Sequence, residues 1–485
     1  MWSSPRTARV RPRRRAAAAI LLAAALASGC ATFSGINAPL RDRYGRGDFA
    51  EAEEFVDQRI AAEAGVKEEV VRKSGGVDDS IQPWRGDTVL YLLDKGMLRL
   101  AAGDPKGAVR VWRSARDQLD DNFLNDTDRF VGGFAAALAD DTVRVYTAAD
   151  YEHILLRAML CLADLMEGGG DAYAYAVQVG EKQEEIIGSP LGDVVKDGRQ
   201  VGYRPRSQYK RVGLGAYLQG VIREDSLDYD EAGRAYERAV AFSEMQSPLL
   251  EGSLSRVRNR SAASPGEGVL HVFYLGGRGP HLEEVRATPG NDAFRLAGLL
   301  VFLVHGSPWL LTQAPVPVPH VAVNDADVLP LEVRSGDRST TTDVILDVNR
   351  VAREQNDANM PWTVARALVR RTWKAVAGTA AQGVAQSSRN DLVAVGALAA
   401  AIALNVATTA TENADTRSWS TLPAQFQAAR LELPAGIRRV DLGPDLSCEV
   451  RIAPGRASYV LVIRPSEGRP AAVLVDRYTR PPKPS

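Results

Sequence analysis

The strongest constraint on this fold is a spacing of small and aromatic residues that recurs around Gly-Asp turns. In the clearest instance Leu92 and Gly96 stand one helical turn apart, Gly103-Asp104 breaks the pattern, and Ala108, Trp112 and Ala115 resume it. Residues three or four apart share one face of a helix, so a small residue there lets a neighbouring helix approach and a large one fills the gap. The scheme returns at Gly220, Asp228, Tyr229, Ala232, Tyr236 and Ala239. It is partial at Gly47, Asp48, Phe49, Ala52 and Val56, and degenerate around Gly170, Asp171, Ala174 and Tyr175. Helix hairpins are therefore predicted over residues 40–255.

These units resemble tetratricopeptide repeats, helix pairs of about 34 residues that stack in tandem. Lys95 and Arg99 occupy places usually taken by Leu and Tyr in the first helix of such a unit, and Gln219 and Arg223 do so in the later one. The turn glycines Gly47, Gly103 and Gly170 also lie farther apart than one repeat. Hairpins with insertions are expected, not a regular superhelix; an unrelated α-bundle uses the same spacing and stays open as an alternative. Stacked hairpins leave an extended concave face, the usual surface for holding another chain.

The first thirty residues are an Arg-rich start, an apolar stretch from Ala16 to Ala27, and Ser28-Gly29 before Cys30. That is the order of a secretory signal. Leu26-Ala27-Ser28-Gly29-Cys30 resembles the lipobox of bacterial lipoproteins, with Leu one place earlier than in the ideal box. The resemblance implies a signal peptide over 1–29, cleavage between Gly29 and Cys30, acylation of Cys30, and a lipidated tether over 30–39. Two or more acyl chains give stable anchoring without a spanning helix. Ala31, in place of Asp, resembles the signal for the outer membrane, so the expected location is the cell envelope, facing the periplasm. Removing Arg6, Arg9, Arg11, Arg13, Arg14 and Arg15 from 59 cations leaves 53 against 60 anions, a net charge of about −7. Such a balance gives no support to a nucleic-acid partner, whose phosphates need clustered cations.

After a linker at 261–268, Val269 to Tyr274 reads as a buried strand ending in the turn Gly276-Gly277-Arg278-Gly279-Pro280. The turn lacks the spacing and the Lys-Ser/Thr of phosphate loops. Leu296 to Val304 is a further apolar run, and the alternating Pro315, Pro317 and Pro319 favour an extended edge. A helix is predicted from Pro361 to about Gln386, proline suiting a first turn. Arg366, Arg370 and Lys374 form a basic stripe on it, opposite Val364, Leu368 and Val376. A stripe of this kind is usually a solvated or salt-bridged surface, and these three are the candidate contacts to a partner or to membrane lipid. Leu392 to Leu404 is short for a span and reads as a core helix before membrane insertion. Four alternating or apolar stretches, Ala429 to Leu433, Ile437 to Leu442, Cys448 to Ile452 and Tyr459 to Ile463, predict a small antiparallel β-unit, completed by Val473 to Val475 and by Val269 to Tyr274. The class is α+β: a helical domain, a β-rich segment over 268–350, a helical insertion over 351–415 and a C-terminal β segment over 416–480.

Several motifs in order strengthen a wider resemblance: the lipobox, Tyr151-Glu152-His153-Ile154-Leu155-Leu156, Gly277 to Pro280, the Arg-rich helix, and Asp415-Thr416-Arg417-Ser418-Trp419-Ser420-Thr421-Leu422-Pro423 leading to Leu433-Pro434-Ala435-Gly436. Together they look like a family of uncharacterised bacterial lipoproteins with tetratricopeptide-like repeats. That family supplies no activity to carry over.

Chemistry is thinly signalled. His153, His271, His281, His305 and His320 show no helix-borne zinc spacing, and no metal or other cofactor is expected. Ser207-Gln208-Tyr209-Lys210 matches the Ser-x-x-Lys of penicillin-binding enzymes without the companion motifs. His305-Gly306-Ser307-Pro308 reads as a turn. Cys161 and Cys448 read as buried thiols, with a disulfide left open. Arg417 and Trp419 are expected to fix a domain junction through a carboxylate pair and through packing. The function these features favour is a lipid-anchored, non-catalytic envelope scaffold that binds a protein or cell-wall partner through its helical repeats. A regulator of a cell-wall synthase is one form of it, and the alternative is an envelope glycan-processing hydrolase or transferase.

Overall fold

The computed structural model describes residues 32–74, 87–132, 145–189, 194–196, 199–201, 205–305, 311, 314–324, 326–387 and 413–481; over 126–132, 194–201, 302–305 and 373–387 the backbone alone is described. The signal segment, Gly29 and Cys30, and Leu392 to Leu404 lie outside the described residues.

The helical half runs α1 (Phe33–Ile36), α2 (Ala38–Arg46), α3 (Phe49–Ala64), α4 (Glu68–Ser74), α5 (Thr88–Ala101), α6 (Pro105–Gly132), α7 (Asp150–Glu167) and α8 (Ala172–Gly188), then the ribbon β1 (Val194–Lys196) and β2 (Arg199–Val201), then α9 (Leu214–Asp225), α10 (Tyr229–Phe242) and α11 (Pro248–Arg258). Hairpins form at all four expected turns, and each helix packs on the next except that α5 packs on α3 and not on the short α4. Their close approach is the one the spacing implies. A Cβ on Gly96 would sit 2.1 Å from the Trp112 indole nitrogen, and one on Gly220 would sit 2.6 Å from the Tyr236 ring. The departures from the repeat pattern join neighbouring hairpins instead of filling them. Lys95, fully buried, pairs with Asp57 on α3, and Arg99 Nε lies 2.6 Å from Glu53 Oε1. Gln219 donates to the Ala176 carbonyl, and the Arg223 guanidinium lies over the Tyr173 ring.

Residues 32–39, expected as tether, are instead part of the folded body. The Thr32 hydroxyl caps α1 by accepting from the Gly35 amide, the Ser34 amide donates to Thr416 Oγ1, and Leu40 is buried. Thr32 supplies a helix cap, and apolar Leu40 gains more from the core than from solvent.

The C-terminal half contributes β3 (Glu267–Gly276), β4 (His281–Ala287), α12 (Asn291–His305), β5 (Val316–Ala322), β6 (Glu332–Ser335), β7 (Arg338–Thr341), β8 (Asp343–Asp347), α13 (Val348–Ser387), β9 (Gln425–Pro434), β10 (Gly436–Leu442), β11 (Leu446–Ile452), β12 (Ala457–Arg464) and β13 (Ala472–Val475). Five strands form one sheet in the order β13-β12-β3-β9-β8, and four form a second, β11-β10-β6-β7. The β-unit is not wholly antiparallel, because β12 runs parallel to β3. Strands on both sides of the helical insertion share the larger sheet, as expected of a single β-unit. Its faces alternate with period two: Phe273, Leu275, Phe426, Ala428, Tyr459, Leu461 and Ile463 enter the helical core, while Leu270, Val272, Leu431, Leu433, Val460 and Val462 pack towards the second sheet. Both faces are covered, which is why β3 and β12 read as continuous apolar runs.

Two boundaries need correction. The apolar run near Leu296 belongs to α12, which packs with α13 and the β4–β5 ribbon around Ala297, Leu300, Val318, Trp362 and Leu368. The long helix starts at Val348, not at Pro361. Asp347 at the end of β8 accepts from the Arg350 amide and starts the helix, leaving Pro361 inside it at the loss of one backbone bond. Pro317 and Pro319 lie on the extended β5, paired only with β4, as alternation predicts.

Candidate functional site

The first helix of each hairpin faces the chain's own sheet. Three carboxylates on these helices reach across and accept backbone N–H groups from the C-terminal half. Glu152 Oε1 takes the Trp419 amide at 2.7 Å, Asp94 Oδ1 takes the Thr421 amide at 3.0 Å and its hydroxyl at 2.9 Å, and Asp225 takes the Ala457 amide at 2.7 Å. In the opposite direction, Asp343 on β8 takes the Leu249 amide of α11 at 2.7 Å. Trp419 is fully buried with its ring 6.0 Å from that of Trp112. Arg417 bonds Asp415 and Asp87 and lies over the Tyr146 ring. Arg417 and Trp419 use the carboxylate pair and the ring packing expected of them, but they join the N-terminal helical half and not, as expected, the helical insertion to the β segment. Burial pushes Asp94 up to about 8 against the bonds from Thr421, and burial likewise raises Glu152, which also accepts from the Tyr146 hydroxyl and the Ala149 amide. The surface that a free helical array would offer to a partner is therefore occupied by residues 415–424 and the sheet.

A cleft of about 400 Å³ opens at the edge of this assembly. One wall is β8, the terminal strand of the larger sheet, through Val344, Ile345, Leu346 and Asp347. The second is the start of α13, which presents Arg350, Val351, Glu354, Gln355 and Ala358 at helical spacing, and the third is residues 208–213 with the end of α10. Four of the charges at the rim are paired with one another. Lys210 Nζ lies 2.7 Å from Glu244 Oε1 and 3.8 Å from Glu354, and Arg350 pairs with the other oxygen of Glu244. The Tyr209 hydroxyl donates to Asp150 at 2.8 Å and accepts from Asn359; burial first, then Asp150, raises its phenol. At the base, Gln355 is 6% exposed and its Oε1 has no hydrogen-bond partner. Within β8 a register irregularity at Ile345 interrupts the pairing with β9, which resumes at Leu346.

This cleft absorbs the Ser-x-x-Lys motif without its chemistry. Ser207 is exposed on a short 3₁₀ turn over 205–208, and Lys210 is paired with Glu244, which favours the ammonium over the neutral amine that would be needed to take a serine proton. Arg366 and Arg370 are half-buried on α13 beside the buried Val364 and Leu368, away from the cleft, and both have contacts; the Lys374 side chain lies outside the described residues. His153 and His271 are buried, their rings pushed down to about 4 and about 3, in each case first by desolvation. His281 bonds Glu283 and His320 is exposed. Among the described residues no three His, Cys, Asp or Glu side chains converge as metal ligands. Cys161 is buried and Cys448 half-buried, and both are free thiols. Among the described residues no helix is long and apolar enough to cross a membrane.

Sequence reasoning missed Asp94, Glu244, Arg350 and Gln355. Asp94 carried a legible signal, an acid directly after the apolar run Val89 to Leu93 and before Met97 to Leu100 resume the packed face. Gln355 carried none, since a polar residue at helical spacing reads as a solvated face. No protein family, curated protein or solved structure matches the chain.

Proposed function

We propose that this chain is a lipid-anchored scaffold of the bacterial cell envelope, held at Cys30 and presenting the cleft between β8, α10 and α13 to a protein partner. The carrying observation is how the helical array is used. Its inner face is spent on the chain's own sheet through Asp94, Glu152 and Asp225, which joins the halves and leaves a strand edge open beside α13. Hydrogen bonds between a carboxylate and a backbone N–H are among the stronger ones, so the junction is built to hold a shape. The helical repeats serve as the frame of the binding surface. The anchor rests on the Arg-rich leader and the lipobox-like ending at Cys30. Because Thr32, two residues from Cys30, caps α1, an acylated cysteine would hold the α1 face within about 7 Å of the headgroups.

Two measurements in cells test this reading. Cys30→Ser is expected to move the protein out of the membrane fraction, and its retention there would overturn the anchor. A photo-crosslinking residue at Met245, 48% exposed on the cleft wall, is expected to yield a discrete adduct with an envelope protein. The same residue at Leu227, on an exposed turn, should not. Equal adducts at both positions, or none at Met245, would count against the cleft as the partner site.

A further inference from the structure

The geometry points to an extended, uncharged peptide segment of the partner as the occupant of this cleft, added as a strand along β8 with one of its peptide groups held by the Gln355 amide. The inference rests on the cleft being the partner site and names what the partner presents there.

Three observations carry it. First, among the described residues β8 is paired on one side only, with β9, and its residues from Val344 to Asp347 line the cleft. Its start is closed off, because Asp343 accepts from the Ser247 hydroxyl and the Leu249 amide, so the edge opens only from Val344 onward. An open strand edge carries backbone donors and acceptors that an incoming strand satisfies, and such additions draw their affinity from main-chain bonds. Second, Gln355 is buried at the base of the same cleft with an acceptor oxygen that bonds nothing. A primary amide sets one acceptor beside donor hydrogens, which is the complement of a peptide group's N–H and C=O. An unsatisfied buried acceptor is destabilising, and a bound peptide group that donates to it removes that cost. Third, Lys210, Glu244, Arg350 and Glu354 are paired with one another, Arg211 is held by Glu184 and Asp347 by the Arg350 amide, and Phe242, Met245, Val351 and Ala358 supply apolar wall between them. Of the charged side chains lining the cleft, only the exposed Asp357 has no such partner among the described residues. A charged occupant would have to break those pairs, while an uncharged one would leave them intact. The irregularity at Ile345 and the five-residue length of β8 limit the added strand to a few residues.

The test uses the full chain and a phage-displayed library of random dodecapeptides, followed by one enriched peptide made synthetically and labelled. Enrichment of uncharged, extended sequences is expected, with amide exchange at 344–347 slowed on binding. Gln355→Met keeps length and helix propensity while removing the amide, and should weaken binding by about tenfold. Gln355→Asn, which keeps an amide on a shorter stem, is expected to fall between the two. Enriched peptides that bind Gln355→Met as tightly as the parent, or that leave exchange at 344–347 unchanged, overturn the inference. So does a library from which nothing is enriched over a blank surface. In either case a Met245 adduct in cells would leave the scaffold reading standing with a different occupant, whereas absence of the adduct as well would remove both.

Discussion

The hairpins α5–α6 and α9–α10 obey the same packing rule and serve different ends. In each, a glycine on the first helix receives an aromatic side chain from the second: Gly96 beneath Trp112, Gly220 beneath Tyr236. Each first helix also buries an acid. Asp94 meets the Thr421 amide and hydroxyl, and its Oδ2 has no hydrogen-bond partner. Glu224 is enclosed by Arg256 at 2.8 Å, by the Tyr236 hydroxyl and by Arg430 at 3.7 Å. For Glu224 burial acts upwards, but the bond and charge of Arg256 with help from Arg430 more than offset it, and the carboxyl ends below its ordinary value. For Asp94 burial wins. The repeat scheme thus sets how closely two helices approach, and the segment laid across the first helix decides what its buried acid does.

The largest effect expected from breaking this pairing is at Trp419, the side chain that the first hairpin receives from the C-terminal half. Trp419→Ala should cost about 3–5 kcal/mol, read from chemical denaturation, because a fully buried indole leaves a cavity. A loss below about 1 kcal/mol would show that the hairpin does not depend on residues 415–424. Next come the glycines. Gly96→Ala and Gly220→Ala should each cost about 1–3 kcal/mol by forcing the aromatic ring away, with Gly96 the more damaging because its Cβ would come closer to the ring. A reversed order would mean that Trp112 yields more easily than Tyr236.

The acids separate the hairpins by sign. Asp94 has a folded pKa of about 8 against about 4 when unfolded, so its contribution is whole below pH 4 and lost as the pH rises to 8. Glu224 is depressed, so its contribution is present above the unfolded value near 4.3 and lost as the pH falls below it. Melting curves from about pH 2.5 to 8 should show Asp94→Asn gaining on the parent as the pH rises from about 4 to 8, and Glu224→Gln costing most near neutrality and progressively less below about pH 4. Parallel profiles for the two variants would sink the distinction. The smallest effect lies in the turns. Gly103 adopts φ +81° after α5, whereas the corresponding turn after α9 places Leu227 at φ +60° and in solvent. A non-glycine residue in that region is strained, so Leu227→Gly should stabilise by about 0.5 kcal/mol, and Gly103→Leu should do the reverse by more.

Much of this architecture was legible because it is local. Asp104 and Asp228 accept from amides three residues on, so the hairpin turns announce themselves in sequence. The strands β9 to β12 were legible for the same reason, with apolar alternation interrupted by Pro-Gly turns. Misread were Pro361, whose preference for a first turn was outweighed by the Asp347 cap fourteen residues earlier, and residues 32–39, whose helix depends on a bond to Thr416. The candidate site was the least legible part. Val344, Lys210, Glu244 and Gln355 come from four separate stretches, and nothing in any one of them points to the others.

The order and type of the elements follow from the sequence alone, because helical and strand periodicity, turn chemistry and close-packed glycines act over a few residues. Which face of the helices remained available was decided only when the chain closed on itself. Asp94, Glu152 and Asp225 find their partners about 230 to 330 residues away, and a contact over that separation leaves no periodic trace, since it depends on where two distant surfaces meet.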